Sequence, residues 1–325
     1  MTKRFRCVLA AVVLSGPIGF PQALAQSYPT RPVHVVAGSA PGGTVDIITR
    51  TVVQKMSENL KQPFVVDNRP GANGIIATEL VAKAPPDGYT LVLGTSGSFG
   101  TNVAIFAKLP YDPIKDFAPV SVLAESIFVL AVHPSVQATT VQEFIALAKA
   151  RPGQLTYGSF GIGSISHFFS ELFFSMADVK LLHVPYKSAP DSLTGLVGGQ
   201  VNASSDALTV VMPHLRAKRL RVLAYGASKR SALAPEIPTY AEAGFPGFTA
   251  SVWYGLLAPA NTSREIVMKL HAEIVKALSA AEVQGRLESI GLQPIGNTPE
   301  QLAAQIRGDI DKYVKVARDA KIRAE

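Results

Sequence analysis

Val33-His34-Val35-Val36-Ala37 leads through Gly38-Ser39 into Ala40-Pro41-Gly42-Gly43-Thr44-Val45-Asp46. This is a β-branched apolar run, a glycine-rich bend and the first turn of a helix. Val45, Ile48, Val52, Met56 and Leu60 then recur at helical spacing, so that helix has one apolar face. The same order of parts returns much further along, where Gln154-Leu155-Thr156 leads into Tyr157-Gly158-Ser159-Phe160-Gly161-Ile162-Gly163-Ser164. A helix start carries about four N–H groups without intrahelical partners and the positive end of the helix dipole. Glycines let an anion approach that backbone closely. Two such loops predict a cleft that receives a small carboxylate from both sides.

The segment ahead of the first loop predicts export. Lys3, Arg4 and Arg6 precede an apolar stretch from Val8 to Phe20, and Ala23-Leu24-Ala25 supplies a small-x-small cleavage site before Gln26. This is the pattern of a secretory signal over 1–25, and it is too short and interrupted for a membrane anchor. The chain's one cysteine, Cys7, lies within it. A mature chain without thiols relies on its core rather than on disulfides. The formal charge of +7 falls to +4 without Lys3, Arg4 and Arg6. The densest basic cluster, Arg216, Lys218, Arg219 and Arg221, lacks interleaved aromatics and reads as a solvated helix end and strand start, so no nucleic-acid partner is expected.

Strand-like and helix-like segments alternate almost throughout, which predicts α/β architecture with parallel strands and covering helices. The mature length suits two α/β domains. Two proline-rich irregular passages interrupt the alternation, from Leu109 to Pro119 and from Pro235 to Gly247. Extended runs follow each: Val120 to Ala124 and Ile127 to Val132, divided by Glu125-Ser126, and then Val252 to Leu257. These runs read as crossovers. The expected division is 26–126 with 248–325 as one domain and 127–247 as the other.

Enzyme signatures are missing from the sequence. Gly94-Thr95-Ser96-Gly97-Ser98 approaches the nucleophile-elbow pattern but ends in serine. No phosphate loop or dinucleotide fingerprint occurs, and His34, His133, His167, His183, His214 and His271 include no pair at metal-ligand spacing. No catalytic residue, cofactor or metal is therefore expected. The second loop adds Ser159, Ser164, Ser166 and His167, neutral groups suited to a carboxylate. Tyr186 and Trp253 could line the cleft wall, although core packing explains Trp253 equally well.

Several stretches resemble the substrate-binding proteins of the tripartite tricarboxylate transporter system, the Bug family. They are Tyr28-Pro29-Thr30-Arg31-Pro32, the Pro41–Asp46 loop, Asp67-Asn68-Arg69-Pro70-Gly71-Ala72-Asn73-Gly74 and Pro86-Asp87-Gly88-Tyr89-Thr90-Leu91. Further along come Leu109-Pro110-Tyr111-Asp112-Pro113, Lys115 to Val120, Tyr157-Gly158-Ser159, Val184-Pro185-Tyr186-Lys187 and Gly198-Gly199-Gln200-Val201. The matches cover the mature chain in family order. The resemblance implies a two-lobed periplasmic-binding-protein-like (type II) fold, joined by two crossovers, with ligand between the lobes. Contacts carried over by position are Ala40, Gly42, Gly43, Thr44, Gly94, Thr95, Ser96 and Ser98 from the first lobe. From the second come Ser159, Gly161, Gly163, Ser164 and His167, with Tyr186, Lys187, Ser188 and Asp206 near the cleft. The chain departs from the family at Phe160, Ile162, Ser188, Asn202 and Ser204-Ser205, which bears on the far end of the ligand.

The resulting expectation is a monomeric periplasmic protein that captures a small organic acid for a membrane transporter. The alternatives are a sensor without its own transporter and a secreted hydrolase using His167 or His183 with a nearby serine.

Overall fold

A computed structural model describes residues 28–323. The leader expected at 1–25 lies outside them. The described chain begins β1 (Val33–Ala37), α1 (Thr44–Leu60), β2 (Phe64–Asn68), α2 (Ile75–Ala82), β3 (Thr90–Thr95) and α3 (Asn102–Ile105). The long β4 (Phe117–Val132) follows, then α4 (Val141–Ala150), β5 (Thr156–Ser159), α5 (Ile165–Met176), β6 (Leu182–Pro185) and α6 (Ala189–Val197). Next come β7 (Ala203–Ala207), α7 (Leu208–Arg216) and β8 (Arg221–Tyr225). The last elements are β9 (Ser251–Pro259), α8 (Arg264–Leu278), α9 (Ala281–Ser289), β10 (Leu292–Pro294) and α10 (Pro299–Asp319).

All these strands join one curled, mixed sheet. β2, β1 and β3 run parallel, and β9 lies antiparallel between β3 and β4. From Phe117 to Ile127, β4 pairs with β9; from Phe128 to Val132 it pairs with β7. β8 also joins this second half, while β5 and β6 continue parallel beyond β7. One strand thus threads both arms of the sheet, and the chain adopts the expected two-lobed α/β class.

The sequence reading divided β4 at Glu125-Ser126, but the strand runs unbroken. Glu125 has partners on both sides, Trp253 of β9 and Gln293 of β10, and Gln305 Nε2 donates to its carboxylate at 3.2 Å. Burial, opposed by that bond, pushes the carboxyl above its usual range. The strand bends through bulges between Pro119 and Ser121 and between Val122 and Ala124. β10 has only three residues, too few for a periodic signal.

Both faces of each arm are covered. In the first arm, Ile48, Met56, Leu270 and Ile274 of α1 and α8 pack on Val33, Val35 and Leu91. Val81 of α2 and Leu302 and Ile306 of α10 cover Val36, Val92 and Trp253 on the other face. In the second arm, Phe144, Phe168 and Phe173 of α4 and α5 lie over Leu130 and Tyr157. Leu196 and Val211 of α6 and α7 cover Val129 and Ala131. α10 serves both lobes: past Ile306, its residues Tyr313, Val316 and Ala317 enter the second-lobe core. Tyr313 there meets Phe168 edge to face at 5.3 Å between ring centroids. The basic cluster straddles the end of α7 and the start of β8, where Arg221 donates to the Val136 and Ala138 carbonyls.

Candidate functional site

In open α/β sheets, ligands sit beyond the carboxyl ends of parallel strands. β1 and β3 end side by side in the first lobe, and β5 and β6 do so in the second. Each strand end carries one of the loops picked out in the sequence.

The first loop runs from β1 to α1. Ala40, Pro41 and Gly42 are exposed and Gly43 is half-buried. Gly42 adopts φ +80°, whereas Gly43, the N-cap, is extended at φ −73° and offers no side-chain cap. Thr44 is therefore the first residue of the helix. Asp46 is buried beneath it and accepts from Gly42 N–H, Arg50 Nε and Asn68 Nδ2, each at 2.9 Å. Burial opposes its ionisation, but these bonds outweigh burial and hold the carboxyl below the usual range. The α1 dipole is thus already faced by a carboxylate and its arginine.

At the end of β3, the third loop closes on itself. Thr95 Oγ1 accepts from the Gly97 and Ser98 N–H groups at 3.2 Å, and Ser98 Oγ accepts from Thr95 N–H at 3.1 Å. Gly94 and Ser96 serve the interior. A β-carbon on Gly94 would lie 2.4 Å from Phe99, and Ser96 Oγ takes the Trp253 N–H at 3.0 Å. Trp253 itself is wholly buried and donates to Asp309 Oδ2 at 2.8 Å, so it belongs to the core rather than the cleft wall. A hollow of about 200 Å³ is walled by Gly38, Val45, Thr95, Ser98 and the 71–74 turn.

That turn entered the sequence analysis only as part of the family resemblance, yet it supplies Asn73. Gly71, Ala72, Asn73 and Gly74 all have positive φ, of 131°, 46°, 51° and 83°. A left-handed run through two non-glycine residues stores strain and persists where its surroundings hold it. Here Asn102 holds it, accepting from Asn73 Nδ2 at 2.6 Å and donating to the Asn73 carbonyl at 3.2 Å.

The second-lobe loop differs in its charge. Tyr157, Gly158 and Ser159 belong to β5, so the loop proper begins at Phe160. Gly161 and Gly163 adopt φ +119° and +74°, which favour glycine. Ser164 caps α5 by accepting from His167 N–H at 3.4 Å, and Ser166 Oγ accepts from Phe160 N–H at 3.0 Å. Gly163 N–H donates to His167 Nδ1 at 3.2 Å, which leaves the ring proton on Nε2. His167 stacks on His183 at 3.9 Å, and His183 stacks on Tyr157 at 4.8 Å. Burial, aided for His167 by the neighbouring His183, holds both imidazoles well below their ordinary range and so neutral. Ser159 Oγ lies 2.6 Å from His183 Nε2, and Ser159 is fully buried. No acidic residue lies in the first turn of α5, so its positive end is not offset as that of α1 is.

The two lobes meet at this loop. A β-carbon on Gly163 would stand 3.0 Å from Ile105 Cδ1 of the first lobe. Beside this contact lies a cavity of about 570 Å³. Asn73, Ile105 and Phe106 line it from the first lobe, Ile162, Gly163, Ser164 and Pro185 from the second, and Arg323 lies beyond α10. Sequence reasoning missed Ile105, Phe106 and Arg323. They lie far from the glycine loops in the chain and carry no pattern of their own.

Tyr186, Lys187, Ser188 and Asp206 are not among the residues lining the cavity. Tyr186 covers Gly195 and directs its hydroxyl to Gln200 Oε1 at 3.3 Å. Lys187 is exposed, and Ser188 caps α6. Asp206 is buried at the end of β7: Oδ1 accepts from Ala207 N–H at 2.8 Å, and Oδ2 has no protein partner among the described residues. Burial, partly offset by the Ala207 N–H, pushes this carboxyl up to about 7.

Two α/β lobes facing each other across strand ends and helix starts define the class of two-lobed solute-binding proteins. Residues 48–321 match the model of the tripartite tricarboxylate transporter family receptor, and the chain belongs to that family. It is 33% identical to BugT of Bordetella pertussis over 317 residues, which cover 97% of each chain. It is similar to a solved R. palustris protein with adipate, at 38% identity and a TM-score of 0.75 over 91% of this chain and 99% of that one. MatC from Rhodopseudomonas palustris with bound malate is 34% identical, with a TM-score of 0.71 over 89% of this chain and 99% of that one.

Proposed function

We propose that this protein captures a small carboxylate-bearing metabolite between its lobes in the periplasm and presents it to a membrane transporter. The observation that carries this reading is the α5 start: two left-handed glycines, a serine cap, and neutral histidines beside an uncompensated helix N-terminus. Such a terminus contributes about 0.3–1 kcal/mol when exposed and up to ~2 when partly buried. With several neutral hydrogen bonds, micromolar affinity, about −8 kcal/mol, is within reach without an arginine clamp at that end. Adipate and malate in the two relatives support a carboxylate as ligand. The leader pattern supports the periplasm, and among the described residues no helix is long and apolar enough to cross a membrane.

The lobes are proposed to divide at 126/127 and 247/248, except that the end of α10 past Ile306 packs on the second lobe; Ala40, Gly42, Gly43, Thr44, Thr95 and Ser98 are proposed to face Gly161, Gly163, Ser164 and His167. A thermal-shift screen of the mature chain against organic acids tests the reading. A ligand at 100 times its Kd adds about 2.7 kcal/mol of stability. A screen in which no carboxylate raises the melting temperature, with ester or amide turnover present, would replace this reading with the hydrolase.

A further inference from the structure

The interlobe cavity has a polar, neutral part of its lining at Asn73, Gly163 and Ser164. Ile105, Phe106, Ile162 and Pro185 form its apolar part. Ile162 is 55% exposed, held between the two left-handed glycines at the tip of its loop. An aliphatic side chain exposed at a cavity wall gains when a ligand with an apolar body covers it. Arg323 is the one charged residue among those lining the cavity.

The chain holds Arg323 in position. α10 ends in a left-handed cap, with Lys321 at φ 56°. Ile322 N–H donates to the Ala317 carbonyl at 2.8 Å, and Lys321 N–H donates to the Arg318 carbonyl at 3.3 Å. This pair of bonds is the Schellman arrangement. Ile322 is buried in the second-lobe core, so Arg323 leaves from an anchored residue. That core also holds α5, so the arginine and the α5 start sit on the same body. Asp319, one turn back, is engaged by Lys315 and Arg318.

We propose that Arg323 is a specificity-determining residue: its guanidinium holds a second acidic group of a ligand whose first carboxylate sits at α5 and whose body between the two is apolar. The proposal rests on the carboxylate reading above and extends it to the ligand's far end. A guanidinium suits this task because its planar fork matches a carboxylate and stays charged. The cavity falls within the range of about 300–1,000 Å³ common for small-molecule sites.

Calorimetry on the mature protein tests it with matched acids: succinate, adipate and suberate against butanoate, hexanoate and octanoate. The parent should prefer a diacid to the monoacid of equal length, and the preference should shrink as salt is raised. Arg323→Gln should weaken the best diacid about tenfold or more and leave its monoacid nearly unchanged, as expected for loss of one charge-assisted contact. Arg323→Lys should recover part of the loss. Melting curves establish that both variants are folded. Diacid affinity unchanged in Arg323→Gln, or mono- and diacid affinities falling together, overturns the proposal while leaving the carboxylate reading intact. A parent that binds none of the six acids and no member of the wider screen overturns both.

Discussion

Gly43 is the N-cap of α1, whereas Gly163 lies one residue before the N-cap of α5, and their backbone conformations differ. Gly163 at φ +74° is strained by any side chain, and a β-carbon there meets Ile105 at 3.0 Å. Gly163→Val should abolish binding of the tightest acid in calorimetry and cost about 1–3 kcal/mol in urea unfolding. Gly43 is extended, and its nearest obstacle is the Ala40 carbonyl at 3.2 Å. Gly43→Val should cost less stability than Gly163→Val, and once melting curves show it folded, its loss of affinity reports ligand approach. Equal affinity of both folded variants and the parent would remove these loops from the site. Ser164→Ala should weaken the α5 start by about 1 kcal/mol.

Asp206 makes a pH prediction. Its carboxyl rises from 3.8 to about 7 in the native state. Between those values the folded protein binds more protons than the unfolded chain, so this residue's contribution to stability falls as pH rises. His167 and His183 act oppositely: their depressed values mean the unfolded chain binds more protons below about pH 6.5, so their contribution falls on acidification. Melting curves of Asp206→Asn against the parent should diverge from pH 4 to 7, with the variant gaining. A constant gap would show that Asp206 does not titrate in that window.

At the scale of elements, the glycine loops and the periodic helices were legible because each is written in adjacent residues. β4 was not, because Glu125-Ser126 looks like a break until strands on both sides supply partners. Nor was α10's double allegiance. Its sequence shows one apolar face, while the cores that face enters are set by tertiary packing. The cavity's apolar wall and Arg323 were unreadable for the same reason: the fold assembles them from distant segments. Asp309 ties α10 to β9 through Trp253 Nε1 and pairs with Lys312 Nζ at 2.6 Å. Asp309→Ala leaves a buried indole N–H without its acceptor and should lower stability by about 1.5–3 kcal/mol, measured by urea unfolding. A change below half a kcal/mol would mean water replaces the carboxylate (~0.5 kcal/mol is the ordinary surface scatter).

The whole molecule has contacts between its lobes at more than the ligand loop. Gln293 Nε2 of β10 donates to the Tyr225 hydroxyl of β8 at 3.1 Å, and Thr209 of α7 occupies the space a side chain on Gly291 would need. The expected closure on ligand turns about β4 while these contacts slide or hold. Small-angle scattering should show a smaller radius of gyration when a confirmed acid is added, as for hinge closure generally. An identical profile would indicate a site that is already closed. Gly291→Ala, with φ +76° and a β-carbon 1.6 Å from Thr209 Cγ2, should prop the lobes apart and weaken ligand binding.

Were the lobes to close, α10 would turn that motion into a signal legible from outside. Its 21 residues make a rod about 30 Å long, fastened near its start to one body and near its end to the other. When the bodies rotate, the rod must bend, shift its register on one of them, or carry one with it. Its solvent-facing side would then report occupancy at a distance from the ligand. A membrane partner that touched only this outer helix could tell a loaded protein from an empty one.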